Sequence, residues 1–258
     1  MSLSAAIRLQ VQTALEKRVP AALTPKIKQA PEVFSTGIEE VDAVLDGGIP
    51  RGSITEVAGG ASTGKTSFAL SSIAAITQSG AACAWVDVND ALSPESAAAA
   101  NVVLKRLLWL RMSAERRERV TDKPWSRLGQ ALNATDLLLQ TGGFAAIVLD
   151  MSDVLPQHIM RVPLSTWYRF RLAAEQARTA LIFLSQSPCA SSCSALSLRC
   201  EPASVQSFRS GKETALFEGQ RYSLVRERNR NEGSVAIIRK KPPVRAEWSA
   251  ETLWSRVR

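Results

Sequence analysis

The chain has 258 residues, 45% of them hydrophobic, which is enough to bury one core with both faces of a sheet covered. Thirty-two Lys and Arg against twenty-four Asp and Glu give a formal net charge of +8, which favours polyanionic partners by long-range attraction. No stretch of about 18 apolar residues is present and the first residues do not resemble a signal peptide, so the sequence predicts a soluble, cytoplasmic protein without a membrane partner.

A helix is predicted at the start of the chain, because apolar residues recur at helical spacing within residues 4–18 and prolines follow. Its apolar face consists of Ile7, Val11, Ala14 and Leu15. An isolated helix of this length is marginal in water, so it needs a neighbouring protomer, a recombinase or its own sheet to cover it. We expect a helix and linker over 1–33, a core domain over 34–245 and a tail over 246–258.

From residue 34 onward, short apolar runs alternate with segments of helical character. Such runs are typical of strands buried on both faces, and the segments between them are long enough for crossover helices. The predicted strands cover 54–58, 82–88, 145–149 and 180–184, and the predicted helices cover 64–79, 94–110, 126–140 and 163–178. Two more strand-like runs, 222–227 and 234–239, predict a C-terminal antiparallel hairpin. The fold class is therefore α/β, with a mostly parallel central sheet flanked by helices.

The segment GGASTGKTS lies between the first of these strands and the first helix. Gly59, Gly64, Lys65 and Thr66 satisfy G-x-x-x-x-G-K-[ST], in which backbone N–H groups at a helix N-terminus converge on phosphates. Lys65 would reach the terminal phosphates and the Thr66 hydroxyl would ligate Mg²⁺. The alternative, a glycine-rich turn, leaves the Gly-Lys-Thr triplet unexplained. The predicted ATP site consists of Gly59, Gly60, Ala61, Ser62, Thr63, Gly64, Lys65, Thr66 and Ser67.

Asp150 follows the apolar strand 145–149, where a carboxylate can support the hydration shell of Mg²⁺. A solvated aspartate at a strand end is the other interpretation, and the neighbouring phosphate loop favours the magnesium role. Thr66 and Asp150 are therefore the predicted metal-binding pair.

Several segments resemble the bacterial RecA recombinase family. Residues 34–70, FSTGIEEVDAVLDGGIPRGSITEVAGGASTGKTSFAL, are similar to the family's entry into its core. CAWVDVNDALSP, IVLD and FLSQS are similar to the strands that lead to its catalytic turn, its magnesium aspartate and its phosphate-sensing glutamine, which implies that Gln186 is the sensor. VRERNRNEG is similar to a motif whose basic residues reach the nucleotide of a neighbouring protomer, which implies that Arg228 and Arg230 act in trans. A solvated basic hairpin or a nucleic-acid contact is the alternative for these two arginines.

Departures from the family change the functional expectation. Asn89 stands where the family has the glutamate that activates the attacking water, and an amide cannot accept a proton at neutral pH, so hydrolysis should be slow or absent. Asp90 is adjacent but, as the next residue, points the other way. Ser96 matches the tyrosine that stacks on adenine, so base binding should be weaker. SPCASSCSALSLRCEPAS, which begins after Gln186, lacks glycine and aromatic residues and so differs from the family's DNA-binding loop, which argues against strand exchange.

LLWLR, RLAAEQARTALIFLSQSP and ALSLR are similar to ImuA-type RecA-like proteins, accessory factors of damage-induced translesion synthesis. That resemblance implies a role in DNA repair and the SOS response, with a RecA-type recombinase or a translesion polymerase as partner. Basic residues concentrated in 105–127 and 221–245 predict contact with DNA, single-stranded and without sequence specificity. The alternatives are an active DNA-dependent ATPase that exchanges strands and a protein-binding regulator that acts without DNA.

Overall fold

A mixed sheet is the centre of the computed structural model, which describes residues 32–112, 124–210, 214–230 and 243–251. The described strands are β1 (Val33–Phe34), β2 (Ile49–Pro50), β3 (Ile54–Ala58), β4 (Cys83–Asp87), β5 (Leu107–Arg111), β6 (Ala146–Asp150), β7 (Ala180–Ser185), β8 (Leu196–Ser210), β9 (Thr214–Asn229) and β10 (Arg245–Glu251). The described helices are α1 (Glu39–Val44), α2 (Lys65–Gln78), α3 (Pro94–Ala99), α4 (Pro124–Thr141), α5 (Pro156–Ile159) and α6 (Leu164–Ala177). The main sheet has the order β10-β9-β8-β3-β7-β6-β4-β5, and β1 pairs with β2 separately.

The four strands predicted for the middle of the chain are confirmed as β3, β4, β6 and β7, each to within one residue at either end. All residues of these strands are buried, so the continuous apolar pattern reflects cover on both faces. Their parallel pairing with one another and with β5 confirms the predicted α/β class. Among the described residues, no helix is both long and apolar enough to cross a lipid bilayer.

The helix predicted over 94–110 is wrong in its second half. Helix α3 ends at Ala99, Asn101 adopts a left-handed φ of 66°, and Leu107–Arg111 forms the edge strand β5 against β4. A short apolar run such as LLWLR fits a strand as well as a buried helix, so helical spacing alone could not decide. Pairing with β4 decides it here.

The C-terminal strands are antiparallel to one another and extend the sheet on the other side of β3. β8 pairs in parallel with β3, and β9 is antiparallel to both β8 and β10. The predicted run 222–227 lies in β9, whereas the run 234–239 and the predicted N-terminal helix lie outside the described residues. The segment that follows Gln186 contains a short 3-10 helix, Ser191–Cys193, and becomes a strand at Leu196, where β8 begins. Strand β10 continues past the predicted boundary at 245.

Two apolar layers hold the helices onto the sheet. Helix α2 buries Phe68 and Ile73 in a cluster that includes Trp85 of β4. On the opposite face, Trp167 and Phe170 of α6 pack with Phe183 of β7, and the centroids of the Trp167 and Phe183 rings are 5.1 Å apart. Burying each large apolar side chain contributes roughly 1.5–3 kcal/mol. These layers fix the sheet on which the candidate site is built.

The parallel strands bring their carboxyl ends to one edge of the sheet. Asp87 of β4 is in register with Asp150 of β6, which is in register with Leu184 of β7, while Ala58 of β3 pairs with Ser185. The phosphate loop, Gln186, Asp150 and the turn after β4 therefore share this edge, which is where open α/β sheets bind ligands.

Candidate phosphate-binding site

The glycine-rich segment 59–67 forms a closed loop between β3 and α2. The Gly59 N–H donates to the Ser185 carbonyl at 3.1 Å, which ties the start of the loop to β7. The Thr63 hydroxyl donates to the Gly60 carbonyl at 2.9 Å, and Gly64 enters α2 with a left-handed φ of 87°. A side chain at Gly64 would be strained by this φ. The loop geometry therefore depends on glycine at the point where the helix begins.

Lys65 is held inside this loop. Its Nζ donates to the carbonyl of Gly60 at 2.7 Å and also to the carbonyl of Gly59, and the residue is only 5% exposed. Burial lowers the pKa of Lys65, while the charge of the nearby Asp150 acts in the opposite direction. An ammonium group that donates to backbone carbonyls can donate to phosphate oxygens in their place. Thr66 follows it and is exposed.

Strand β9 covers the loop from the side, a contact that no local pattern of residues predicts. A Cβ atom built on Gly64 would lie 2.5 Å from Cγ of Tyr222. Tyr222 packs on Trp248 of β10 with ring centroids 5.4 Å apart, and these residues are cross-strand partners. The Gln220 side-chain amide donates to the Ser62 carbonyl at 3.0 Å. The C-terminal strands thus shape one wall of the phosphate loop.

Asp150 and Gln186 lie together at the carboxyl edge of the sheet. Oδ1 of Asp150 accepts the Ser152 N–H at 3.0 Å, and the Gln186 amide donates to the Ser152 carbonyl at 3.2 Å. Burial raises the pKa of Asp150, so this carboxyl holds its proton more tightly than an ordinary aspartate. The influence of Asp150 on the pKa of Lys65 places both groups in one electrostatic environment.

The turn after β4 places Asn89 and Asp90 differently. Asp87 anchors the turn by accepting the N–H groups of Ala91 and Leu92 at 3.0 and 2.9 Å, and Asn89 is half-buried within it. Asp90 has a left-handed φ of 59° and binds Arg111 of β5 through both carboxylate oxygens. The hydrogen bonds from Arg111 hold the pKa of Asp90 below its usual value. Asp90 is therefore committed to the edge strand and is a poor substitute for a glutamate at Asn89.

A cavity of about 1130 Å³ adjoins the start of α2. Ser67, which follows Thr66 of the loop, and Ser96, where the resemblance implies an aromatic partner for the base, both line it. Trp248 and Arg221, from β10 and β9, line the same cavity. An aromatic ring is therefore present, although it is contributed by a strand distant in sequence from Ser96.

Arg228 and Arg230 lie at the end of β9. One terminal nitrogen of Arg228 donates to the Ser194 hydroxyl at 2.5 Å and to the Ser191 carbonyl of its own chain. The Arg230 N–H donates to the Ala195 carbonyl at 2.9 Å, and its side chain is exposed. Their role toward the nucleotide of a second protomer stays a prediction.

Much of the described part of the basic segment 221–245 is internally paired. Arg226 lies 3.6 Å from Asp46, and Arg245 donates to Glu201 at 2.6 Å. In the segment 105–127, Arg106 donates to the Gly80 carbonyl in addition to the pairing of Arg111 described above. The pairings with carboxylates reduce the positive charge that a polyanion would meet on the described surface, whereas the bond from Arg106 to a neutral carbonyl leaves its charge in place.

Comparison with known proteins places these features in a family. The family model for the RecA N-terminal domain matches residues 2–161. Protein RecA of Deinococcus radiodurans is 31% identical over 192 residues, which cover 69% of this chain and 49% of that protein. Protein RecA of Rhizobium rhizogenes is 31% identical over 170 residues, and Protein RecA of Acinetobacter baumannii is 33% identical over 142 residues. The chain thus spans half or less of these curated relatives, 49%, 44% and 37% respectively. Because the family model covers more than half of the chain, this protein belongs to the RecA family.

Proposed function

We propose that this protein binds ATP with Mg²⁺ at the loop 59–67. The observation that carries this proposal is the position of Lys65, whose buried ammonium is surrounded by the carbonyls of Gly59 and Gly60 at the N-terminus of α2. Phosphate oxygens would replace these carbonyls as partners of the ammonium, and the backbone N–H groups of the loop would supply further donors. The residues present therefore fit a nucleoside triphosphate.

The remaining groups fit the rest of the ligand. The exposed Thr66 hydroxyl and the Asp150 carboxylate would hold the hydrated metal ion, which neutralises phosphate charge when it is bound. Gln186, fixed to the Ser152 carbonyl beside Asp150, would sense the terminal phosphate. The base would enter the cavity that contains Ser96 and Trp248, where the indole provides a stacking surface.

We propose further that nucleotide acts more as a structural or switching ligand than as fuel. Asn89 cannot serve as a general base, and Asp90 is engaged by Arg111, so efficient activation of water is missing from this turn. This combination supports an accessory role in DNA repair and damage-induced translesion synthesis, with a RecA-type recombinase or a polymerase as partner. The similarity of LLWLR and ALSLR to ImuA-type proteins supports the same role.

DNA is a proposed partner through non-specific phosphate contacts. Arg221 on β9 and Arg230 just after it are exposed, whereas Arg239, Lys240 and Lys241 lie outside the described residues. Contacts of this kind release counterions, so affinity should fall steeply with added salt and vary little with sequence. Self-association is also proposed, because VRERNRNEG resembles a family motif whose basic residues reach the nucleotide of a neighbouring protomer.

A second candidate function is an active DNA-dependent ATPase. The observation that favours it is the juxtaposition of Asp150 and Gln186 beside the phosphate loop, since a magnesium aspartate and a phosphate sensor are parts of an ATPase. ATP turnover with and without single-stranded DNA separates the two functions. Brisk turnover that depends on DNA would support the ATPase and remove the main argument for the accessory role.

Calorimetry on a lysine variant tests the nucleotide site itself. Lys65→Ala should weaken binding of ATP with Mg²⁺ by about tenfold or more, at least ~1.4 kcal/mol, because the buried cation is lost. Lys105→Ala is the matched control, since that lysine is exposed and far along the chain from the loop, and its affinity should stay unchanged. Equal affinity of the Lys65→Ala variant and the natural protein would disprove the phosphate assignment.

A further inference from the structure

A fully buried carboxylate lies in the strand that leads to the phosphate loop. Glu56 is the middle residue of β3 and has no exposed surface. Its Oε1 accepts the N–H groups of Cys189 and Ala190, each at 2.6 Å. Its Oε2 is also buried and makes no hydrogen bond within the described residues. A carboxylate in such a place needs a compensating cation, because burial of an unpaired charge is costly.

Arg228 is the cation that faces this carboxylate. Its terminal nitrogen lies 3.9 Å from Oε2 of Glu56, and the same nitrogen donates to the Ser191 carbonyl and the Ser194 hydroxyl. Ser191 has a left-handed φ of 45°, a conformation that persists only where the surroundings enforce it. The segment 189–194 is therefore fixed from one end by Glu56 and from the other by Arg228.

We propose that Glu56 is a positioning residue that holds Arg228 in cis, and that the two side chains together lock the segment 189–194 onto β3. This segment follows Gln186 directly, so the lock joins the sensor region to the strand that carries the phosphate loop. Movement of Arg228 toward a second protomer would remove the cation facing Glu56 and the donor of Ser191 and Ser194. Arg228 therefore acts within its own chain, and the exposed Arg230 is the arginine directed outward.

The lock is independent of nucleotide binding, whereas the outward role of Arg230 rests on the proposed function. Arg228→Ala should lower the melting temperature by about 4 °C or more, because it leaves a buried carboxylate without its cation. In a Glu56→Gln background, Arg228→Ala should lower the melting temperature by less than half as much. The amide keeps an oxygen for the two N–H donors but carries no charge that needs a cation. Arg230→Ala, two residues further along the chain at an exposed position, is the matched control and should change the melting temperature by about 1 °C or less.

Calorimetry tests the outward role of Arg230. It measures ATP affinity at protein concentrations below and above those at which the protein self-associates. Arg230→Ala should remove any gain in affinity that accompanies association, while the Glu56→Gln, Arg228→Ala double variant should keep it. Equal destabilisation by Arg228→Ala in both backgrounds would overturn the lock. Loss of the association-linked gain in the double variant but not in Arg230→Ala would reverse the roles of the two arginines. If neither the Arg230→Ala variant nor the double variant binds ATP, the proposed function fails, while the melting temperatures still decide whether the lock exists.

Discussion

The parallel half of the sheet and its antiparallel half contribute to the site in different ways. On the parallel side, each candidate residue lies at the end of an element: Lys65 begins α2, Asp150 ends β6 and Gln186 follows β7. On the antiparallel side, Tyr222 and Trp248 reach it from strands far along the chain. The candidate phosphate loop is therefore formed locally, whereas its wall and its arginine contacts depend on how β9 and β10 join the sheet.

Gly64→Ala challenges this division most directly, because Gly64 has both a local constraint and a distant contact. Its left-handed φ of 87° disfavours alanine, and the added Cβ would lie 2.5 Å from Cγ of Tyr222. Strain and overpacking together should cost about 2–5 kcal/mol, which lowers the melting temperature by roughly 5–15 °C and weakens ATP binding strongly. Thermal unfolding and calorimetry measure both effects.

Gly60→Ala is the matched control, since nothing lies within 4 Å of a Cβ at that glycine. A second variant, Gly64→Ala with Tyr222→Ala, separates the two causes. If removing the tyrosine ring restores most of the stability, the wall from β9 dominates; if it restores little, the backbone of the loop dominates. A Gly64→Ala variant as stable as Gly60→Ala would contradict both the backbone strain and the contact with Tyr222.

Asn89→Glu examines the parallel half alone. A glutamate at this half-buried turn position would supply the missing base, and general-base catalysis is worth on the order of 10² to 10⁴ in rate, so partial recovery should raise ATP turnover by about tenfold or more. Asp90→Asn serves as the control and should leave turnover unchanged, because Asp90 is already bound to Arg111. A steady-state phosphate-release assay measures the rates. Unchanged turnover in Asn89→Glu would mean that the missing glutamate is not what limits hydrolysis.

Asp150→Asn should have the smallest effect and tests the metal assignment. Burial raises the native pKa of Asp150 above its ordinary 3.8, so the native state binds more protons than the unfolded chain as pH rises through this range. Ionisation of this carboxyl therefore destabilises the fold, and Asp150→Asn should melt at a higher temperature at neutral pH. The gain should shrink as pH falls through the raised pKa of the native state and should be absent below the ordinary value.

The same variant should lose about tenfold in the Mg²⁺-dependent part of its ATP affinity, about 1.4 kcal/mol. Glu175→Gln, at an exposed position on α6, should show neither effect. An Asp150→Asn protein that binds ATP with full Mg²⁺ dependence would exclude Asp150 from the metal site.

The sequence by itself determined the local parts of this protein. β3, the phosphate loop and the start of α2 are continuous in the chain, and the motif requires only glycine conformations and a lysine at fixed spacing. The four buried strands were predictable because parallel strands covered on both faces have unbroken apolar runs. Asp150 was predicted from its place at the end of an apolar strand beside the glycine-rich loop, whereas Gln186 was predicted only from the resemblance of FLSQS to the RecA family.

Tertiary structure decided the rest, because long-range pairing has no local signal. LLWLR is compatible with a helix or a strand, and only its pairing with β4 makes it β5. The long strand β8 begins inside a segment that resembles a loop in composition, because β3 offers it a partner. Glu56 and Arg228 are far apart in sequence and are brought within 3.9 Å by the addition of β8 and β9 to the sheet. A side chain's partner across a sheet depends on which strands become neighbours, and local residue patterns do not show that order.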